Sequence, residues 1–411
     1  MNTNIKRIQQ DIEELSKFTA TPGNGTTRLS FSNEDRGARE YIKNQMVKGG
    51  LSVYEDAAGT IVGRIEGELK NSPIVLIGSH FDTVLNGGNF DGLAGIVAAL
   101  ETARVLQENK LKPRYPVEFI AMIEEEGTRF GAGLFASRAM AGKVSRQELY
   151  ESKDASGIVM AQAMETFGFD PDKIEEAIRP KESLKAYLEL HIEQGPILEA
   201  ENKEVGVVEY IVGLHAIEVK INGRADHAGT TPMNMRSDAM EAAAMLISRV
   251  GDYAREVGEG SVATVGRLSL LPGSVNVVPK EVTFTVDIRA KDSNNIKSIL
   301  QWIYTELDKI SESKNVTYEV QTLLDVQPVK LSEEITNIIE NNCNRIGFSN
   351  MRILSGAGHD AMVMVDLTPT GMIFVPSKNG RSHSPSEWTD YELLHKGIEI
   401  AFETIKIIAE A

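Results

Sequence analysis

Short, continuous apolar segments that alternate with a segment of helical spacing are the feature that most constrains the fold of this chain. Val75–Ile77 and Val117–Ile123 are apolar runs rich in β-branched residues, whereas Leu93–Leu106 carries its Leu, Ile and Val residues at helical spacing. Buried strands that alternate with helices imply a sheet that is covered on both faces. The sequence therefore predicts an α/β fold built on a mixed, largely parallel sheet.

Between residues 213 and 326 the pattern changes to that of a small α+β domain. It predicts a strand at Ala216–Ile221, a helix of about 25 residues from Pro232, strands at Val262–Leu270 and Val282–Ala290, a helix at Asn294–Glu312 and a strand at Val316–Leu324. This β-α-β-β-α-β order predicts a ferredoxin-like domain, inserted into a catalytic domain of residues 1–212 and 327–411. The catalytic domain resumes with a helix at Glu333–Arg345, a strand at Pro369–Val375 and a closing helix after Asp390.

Charge and composition exclude several classes of function. With 43 Lys and Arg residues against 59 Asp and Glu residues, the net charge of −16 repels phosphate backbones and anionic membranes, so we expect neither nucleic acid nor a membrane as partner. Cys343 is the only cysteine, which excludes an internal disulfide and fits a reducing compartment. The polar N-terminal segment lacks the apolar core of a leader, and we expect a cytoplasmic protein.

Side chains of the metal-ligand type follow the ends of the predicted strands. His80 and Asp82 come directly after an apolar strand, and residues i and i+2 of an extended chain point the same way, so the Asp82 carboxylate can orient the His80 ring. Glu124, Glu125 and Glu126 follow the next strand. Taken alone, these clusters are equally compatible with a solvent-exposed strand end and a solvated acidic loop.

Three further residues of the same type fall at comparable places. Asp91 precedes a predicted helix and could be its N-cap, and His191 lies in a predicted strand where a buried structural histidine is an alternative. His383 lies in a loop rich in Gly, Ser and Pro. Because strand ends of one sheet lie near one another, the set predicts a metal site, and histidines with carboxylates suit zinc, manganese or cobalt.

Nine motifs in a fixed order give the chain a specific resemblance. They are GSHFDTV (78–84), GGNFDGLAG (87–95), EEEGTRF (124–130), ELHIEQGP (189–196), DHAGTTPM (226–233), SVNVVP (274–279), DIRA (287–290), SGAGHDA (355–361) and FVPSKNGRSHSPSE (374–387). The sequence resembles the dinuclear-metal amidohydrolases related to aminoacylases and carboxypeptidases. The branch it is similar to contains N-carbamoyl-L-amino acid hydrolase, β-ureidopropionase and allantoate amidohydrolase.

The resemblance implies two divalent metal ions per subunit, which could be zinc, manganese, cobalt or nickel. It implies that His80 and His191 hold one ion, that Glu126 and His383 hold the other, and that Asp91 bridges them. Glu125 is implied as the base that accepts and returns a proton, with Asp82 as a further catalytic residue. A histidine at position 191 favours amide or ureido substrates, because the peptide-cleaving relatives generally have an acidic residue there.

The resemblance also implies residues that contact substrate. Gln194, Gly358 and His359 match positions near the substrate in the family. Asn276 could donate and accept hydrogen bonds, and Arg289 could pair with a substrate carboxylate, the alternative being an ion pair with Asp287. In relatives the counterpart of His227 reaches the active site from the partner subunit, which implies a homodimer built through the inserted domain. His215 and His395 match no metal motif, and we interpret them as surface or packing residues, while Glu124 is expected to be structural or solvated.

These implications converge on hydrolysis of the carbamoyl group of an N-carbamoyl amino acid, which yields the amino acid, ammonia and carbon dioxide. Allantoate hydrolysis is a less favoured alternative, since His215 and Ala216 stand in a stretch where allantoate-cleaving members carry arginine. An aminoacylase or dipeptidase activity and a catalytically silent binding protein are further alternatives. The choice between α- and β-carbamoyl substrates stays open.

Overall fold

The computed structural model describes residues 3–411; Met1 and Asn2, which begin the segment interpreted as leader-free, lie outside the described residues. The chain divides into two compact units. The larger unit runs up to Glu209 and resumes from Leu331 to Ala411, and the smaller unit is Tyr210–Lys330. The inserted domain predicted from the sequence was residues 213–326.

The larger unit is built on a mixed sheet with a parallel centre. Its strands are β1 (Ser52–Glu55), β2 (Ile61–Ile65), β3 (Ile74–His80), β4 (Val117–Met122), β5 (Leu184–Ile192), β6 (Val205–Ile211, whose last two residues fall in the smaller unit), β13 (Asn350–Ser355) and β14 (Thr370–Val375). The sheet order is β1-β2-β4-β3-β5-β14-β6-β12, where β12 is Val329–Lys330 and β13 also pairs with β6. The central strands β4, β3, β5 and β14 are parallel, and β1, β2 and β6 pair antiparallel. The predicted α/β class is confirmed.

Helices flank this sheet. They are α1 (Ile5–Leu15), α2 (Asn33–Lys48), α3 (Leu93–Glu108), α4 (Phe135–Met140), α5 (Arg146–Glu151), α6 (Met160–Phe167), α7 (Ile197–Ala200), α10 (Glu333–Ile346), α11 (Asp360–Met364) and α12 (Tyr391–Ile408). Short 3-10 helices occur at Pro171–Ala177, Lys181–Ser183 and Lys378–Gly380. No helix among residues 3–411 is long and apolar enough to cross a membrane.

Helix α3 lies in the centre of the larger unit. Every residue from Leu93 to Ala103 is buried, because the helix packs against β3 and β5 as well as against α1 and α12. This burial explains why its sequence is apolar on all sides rather than on one stripe. The N-terminus of α3 is thereby fixed beside the ends of β3 and β5, where the metal ligands were predicted.

The smaller unit has one antiparallel sheet and two long helices, and its elements follow the predicted β-α-β-β-α-β order except that one strand is divided. Its elements are β7 (Gly213–Asn222), α8 (Ala239–Val257), β8 (Val262–Thr264), β9 (Leu268–Leu271), β10 (Glu281–Ala290), α9 (Ser293–Lys314) and β11 (Thr317–Val326). The sheet order is β11-β7-β10-β8, and β9 also pairs with β10. Apolar residues of α8 and α9 pack on one face of this sheet.

Two predictions for the smaller unit are wrong in detail. The helix expected from Pro232 starts at Ala239, because Asp238 caps it by accepting hydrogen bonds from the backbone N–H groups of Met240 and Glu241. The single strand expected at Val262–Leu270 is divided into β8 and β9. Thr264 pairs with Asp287, and Leu268 pairs with Phe284. Between these two pairs the segment that joins β8 to β9 has one residue more than β10, and this bulge divides the expected strand.

Candidate metal centre

The predicted ligands are brought to one edge of the sheet by its parallel strands. His80 ends β3, and Glu125 and Glu126 follow β4. His191 lies near the end of β5, opposite Phe374 of β14, and His383 lies in the loop after β14. Because these strands run in the same direction, their carboxyl ends meet at the same place.

Asp91 does not act as a side-chain cap of α3. The N-cap residue is Gly92, and no side chain caps this helix end. Gly92 has a positive φ of 64°, and a Cβ atom there would lie 2.5 Å from the His80 carbonyl oxygen and 2.6 Å from its ring. Only glycine therefore allows the backbone to pass against His80, and this close approach brings the Asp91 carboxylate to the three histidines.

The two oxygens of the Asp91 carboxylate face two different groups of ligands. Oδ1 lies 3.1 Å from His191 Nε2 and 3.5 Å from His80 Nε2. Oδ2 lies 3.4 Å from His383 Nε2, which is also 3.4 Å from Glu126 Oε1. We name His80, Asp91 and His191 the histidine-pair group, and Asp91, Glu126 and His383 the His383 group. Within each group the ligand atoms all lie within 4.8 Å of one another.

The electrostatics of the centre favour bound cations. Burial opposes a charge on His80, but the carboxylates of Glu125, Asp82 and Asp91 outweigh burial and raise its pKa well above the ordinary value. The carboxylates of Asp91 and Glu126, each with an oxygen 3.4 Å from Nε2, raise the pKa of His383 to about 10. Glu126 Oε1 is buried and has no hydrogen-bond partner. A set of imidazole nitrogens and carboxylate oxygens with an unsatisfied buried oxygen fits divalent metal ions.

Backbone carbonyl oxygens fix the tautomers of the two buried histidines. His80 Nδ1 lies 3.2 Å from the carbonyl oxygen of Asp82, and His191 Nδ1 lies 2.9 Å from that of Ile192. A carbonyl oxygen only accepts, so each Nδ1 carries a proton, and Nε2 is the nitrogen that can bind a cation once it is deprotonated.

The carboxylate of Asp82 mainly positions the neighbouring loop. It lies 3.6 Å from His80 Nδ1, farther than the carbonyl oxygen of the same residue. Its Oδ1 accepts a hydrogen bond of 3.1 Å from the N–H of Glu125, and its Oδ2 accepts one of 3.2 Å from that of Glu126. Asp82 thus fixes the backbone that carries the predicted base and a predicted ligand.

Glu125 lies beside both groups, with Oε2 3.8 Å from His80 Nε2. Burial raises the pKa of its carboxyl group well above the ordinary value; the charge of His80 opposes this shift, and the charges of Glu126, Asp360 and Asp82 add to it. Glu124 is also buried, and its Oε1 accepts a hydrogen bond of 2.8 Å from the N–H of Phe130. Glu124 therefore supports the loop.

Gln194 and His359 both lie against the candidate ligands. Gln194 donates from Nε2 to Asp91 Oδ2 at 2.7 Å, and its Nε2 lies 3.4 Å from His383 Nε2. The ring of His359 is 4.4 Å from that of His191, and burial together with the charge of His191 lowers the pKa of His359 well below its ordinary value. Gly358 precedes His359 and is exposed.

The remaining predicted substrate residues lie in the smaller unit. His227 and Asn276 belong to paired segments, since the N–H of Ala228 donates to the Asn276 carbonyl oxygen at 3.0 Å. The N–H groups of Gly229 and Thr230 donate to His227 Nδ1, so its proton is on Nε2. Arg289 forms the alternative pair with Asp287, with Nε 2.9 Å from Oδ1 and Nη2 3.2 Å from Oδ2.

The two histidines interpreted as surface or packing residues lie in other surroundings. His215 Nδ1 is 3.4 Å from Asp325 in the smaller unit, and His395 Nε2 is 2.7 Å from the Thr3 hydroxyl in the larger unit. Two residues at the centre were not predicted, Ser382 and Glu387. The only sequence signal was their position inside the motif around His383.

Comparisons with known proteins show which family this chain belongs to. The sequence model of the family described as Peptidase family M20/M25/M40 matches residues 76–407. The N-carbamoyl-L-amino-acid amidohydrolase of Paenarthrobacter aurescens is 44% identical, with 98% of each chain covered. The N-carbamoyl-L-amino acid amidohydrolase of Geobacillus stearothermophilus is 40% identical over 98% of each chain. The allantoate amidohydrolase of Escherichia coli is 36% identical and covers 96% of this chain and 97% of its own.

The fold is also similar to that of solved structures. An amidase of the hydantoinase/carbamoylase family from Burkholderia multivorans superimposes with a TM-score of 0.91 and 31% sequence identity. The match covers 99% of this chain and 98% of the amidase.

Proposed function

Because the chain belongs to the peptidase family M20/M25/M40, we propose that it is a metal-dependent hydrolase of the carbamoyl C–N bond of N-carbamoyl amino acids. The products are the amino acid, ammonia and carbon dioxide. The observation that carries this proposal is the convergence of three histidines and Glu126 around Asp91, with Glu125 beside them. The choice of substrate is supported by the two amidohydrolases of N-carbamoyl amino acids at 44% and 40% identity.

The proposed centre would hold two divalent cations. His80 and His191 would hold one, Glu126 and His383 would hold the other, and Asp91, whose two oxygens face the two groups, would serve both. When bound, the pair of cations would polarise the ureido carbonyl group and acidify a water molecule. The side chain of His383 is 49% exposed, whereas those of His80 and His191 are 1% exposed, so the His383 side of the centre is the side that substrate can approach.

Glu125 is the proposed base. It takes a proton from the attacking water and returns the proton to the leaving nitrogen when the C–N bond breaks. Asp82 keeps Glu125 in place through the backbone. Gln194, Gly358 and His359 are proposed to line the substrate position in the same unit.

The smaller unit is proposed to supply groups that recognise the rest of the substrate. Arg289 would exchange Asp287 for the substrate carboxylate, and Asn276 would hydrogen-bond to the same molecule. His227 carries a proton on Nε2 and can donate a hydrogen bond to an oxyanion; we propose that it acts on the partner subunit of a homodimer. A cytoplasmic location stays a prediction.

Ammonia release tests this function. Metal-free protein is loaded with zinc, manganese, cobalt or nickel and assayed for ammonia with several N-carbamoyl-L- and D-amino acids, N-carbamoyl-β-alanine and allantoate. An N-acetyl amino acid, whose hydrolysis gives acetate and no ammonia, is assayed in parallel for release of the free amino acid. We expect ammonia from the N-carbamoyl-L-amino acids, only with metal present. Allantoate is the second candidate because of the Escherichia coli relative, and ammonia from allantoate alone would favour that activity. Turnover of the N-acetyl substrate alone, or full activity without metal, would refute the proposal.

A further inference from the structure

Glu387 links two loops that carry metal ligands. Its Oε1 accepts hydrogen bonds from the backbone N–H groups of Phe90, at 2.9 Å, and Asp91, at 3.1 Å. Its Oε2 lies 2.7 Å from the hydroxyl of Ser382. Residues 87–92 form the Asp91 loop and residues 376–390 form the His383 loop. The buried carboxylate of Glu387 thus contacts the first loop while it belongs to the second.

Ser382 completes the link. Its hydroxyl lies 2.8 Å from Asp91 Oδ2, in addition to its contact with Glu387. Among residues 3–411, the hydrogen bonds that run directly between the two loops all involve Ser382 or Glu387. The remaining direct contacts between the loops include the ring contact of Phe90 with Trp388 and the pair of His383 with Asp91. The side chain of Glu387 therefore provides much of the hydrogen bonding that sets the distance between Asp91 and His383.

Gly88 allows the Asp91 loop to pack directly on this carboxyl group. A Cβ atom at position 88 would lie 2.1 Å from Cδ and Oε1 of Glu387 and 2.4 Å from its Cβ. These distances are far below van der Waals contact, so the backbone of the Asp91 loop packs directly against the Glu387 side chain at this point. The link is therefore specific in shape as well as in hydrogen bonding.

The two groups of metal ligands depend on this link to different degrees. His80 and His191 belong to β3 and β5, which are neighbouring strands held by the sheet. His383 lies beyond the end of β14 at Val375, in a loop and with a positive φ of 53°, so its place depends on contacts of the loop. A change in the distance between the loops moves His383 relative to Asp91 and leaves the strand residues in place.

We propose that Glu387 is a positioning residue that ties the His383 loop to Asp91 and thereby sets the affinity of the His383 group for its cation. This inference rests on the proposed function, since it assumes a centre of two cations. Ser382 is the second part of the tie. The histidine-pair group is expected to bind its own cation without the tie.

Zinc binding to metal-free protein tests the proposal directly. Competition with a chromophoric chelator gives the affinity of each equivalent, and elemental analysis after gel filtration gives the zinc content. We expect wild-type protein to bind two equivalents. Glu387→Ala should keep the tighter equivalent within about threefold and weaken the other by about 10- to 100-fold, the usual range for a residue that supports a metal ligand.

Three further variants separate positioning from general damage. Glu387→Gln preserves the shape, because the amide oxygen accepts both N–H groups and the amide nitrogen donates to Ser382; it should restore both affinities to within about threefold. Ser382→Ala removes the contact with Asp91 without a large cavity and should weaken the same equivalent as Glu387→Ala. Glu101→Ala is the control, since Glu101 is buried and accepts from the N–H of Asn4 in a different part of the unit. It should lower the melting temperature and leave both zinc affinities unchanged.

The outcomes distinguish this inference from the proposed function. Suppose that wild-type protein binds two equivalents of zinc. The tie would then be overturned, and the two-cation centre left intact, if Glu387→Ala kept both wild-type affinities or weakened both by the same factor. The tie would also be overturned if Glu101→Ala gave the same selective loss. One equivalent or none in wild-type protein would overturn the two-cation centre and the tie together.

Discussion

Replacement of Asp82 by alanine should cost both stability and catalysis, for separate reasons. The Asp82 carboxylate is buried and accepts hydrogen bonds from the N–H groups of Glu125 and Glu126. Without it the N–H groups of two partly buried residues lose their acceptor. A fully buried group of this kind costs about 1–3 kcal/mol, so we expect a loss of up to about 6 kcal/mol. Urea unfolding of metal-free protein measures this loss without a contribution from bound metal.

The expected loss of activity follows from the identity of the two N–H groups that lose their acceptor. They belong to the predicted base and to a predicted ligand, and a displacement of about 1 Å at a reacting group can cost about 10²-fold in rate. We therefore expect kcat of metal-loaded Asp82→Ala with an N-carbamoyl-L-amino acid to fall by about 10²-fold or more.

Asp56→Ala is a matched control for this prediction. The Asp56 carboxylate also accepts from two backbone N–H groups, those of Ala58 at 3.0 Å and Thr60 at 2.9 Å, but it lies in the turn between β1 and β2. It should lose stability in the same range and keep its activity. A stability loss below about 1 kcal/mol for Asp82→Ala, or an equal loss of activity in both variants, would refute the reasoning.

Three further predictions concern single groups. Glu125→Gln should lower kcat by about 10²- to 10⁴-fold while the zinc content stays at the wild-type value, and wild-type kcat would remove Glu125 from the role of base. Because burial raises the pKa of the Cys343 thiol to about 12, folded protein should not react with a thiol reagent at neutral pH, whereas unfolded protein should react with one equivalent; rapid labelling of folded protein would contradict this. Burial, and then the charge of Glu189, raise the pKa of Asp360 from 3.8 to about 7, so its contribution to stability is full below 3.8 and is lost as the pH rises through about 7. Urea midpoints of Asp360→Asn should therefore fall less than those of wild-type protein over this pH range, and superimposable profiles would count against the shift.

The positions of the ligands could be anticipated because they depend on a regular feature of the fold. His80, His191 and Glu126 follow parallel strands of one sheet, and the apolar pattern of those strands is visible in the sequence. The direction of the strands then brings their ends together. The helix after Asp91 was equally visible, since most of the buried residues of α3 are apolar.

The features that the sequence did not predict depend on contacts between segments that are distant in the chain. Glu387 is 296 residues from Asp91, and its role rests on the close packing of Gly88, which no local pattern reveals. The start of α8 was misplaced because Pro232 is a common first helical residue, whereas the cap at Asp238 is favoured by its hydrogen bonds in the folded unit. Similarly, the interruption between β8 and β9 comes from the register against β10, which is a property of the pair of strands.

The order of the ligands along the chain has a consequence for biosynthesis. His191 precedes the smaller unit and His383 follows it, 383 − 191 = 192 residues later. At about 5–20 residues per second, a ribosome needs about 10–40 s to cover this interval. During that time the nascent chain already contains all three residues of the histidine-pair group, whereas the His383 group still lacks His383. If the centre binds two cations as proposed, the His383 group is complete only after the smaller unit has been synthesised.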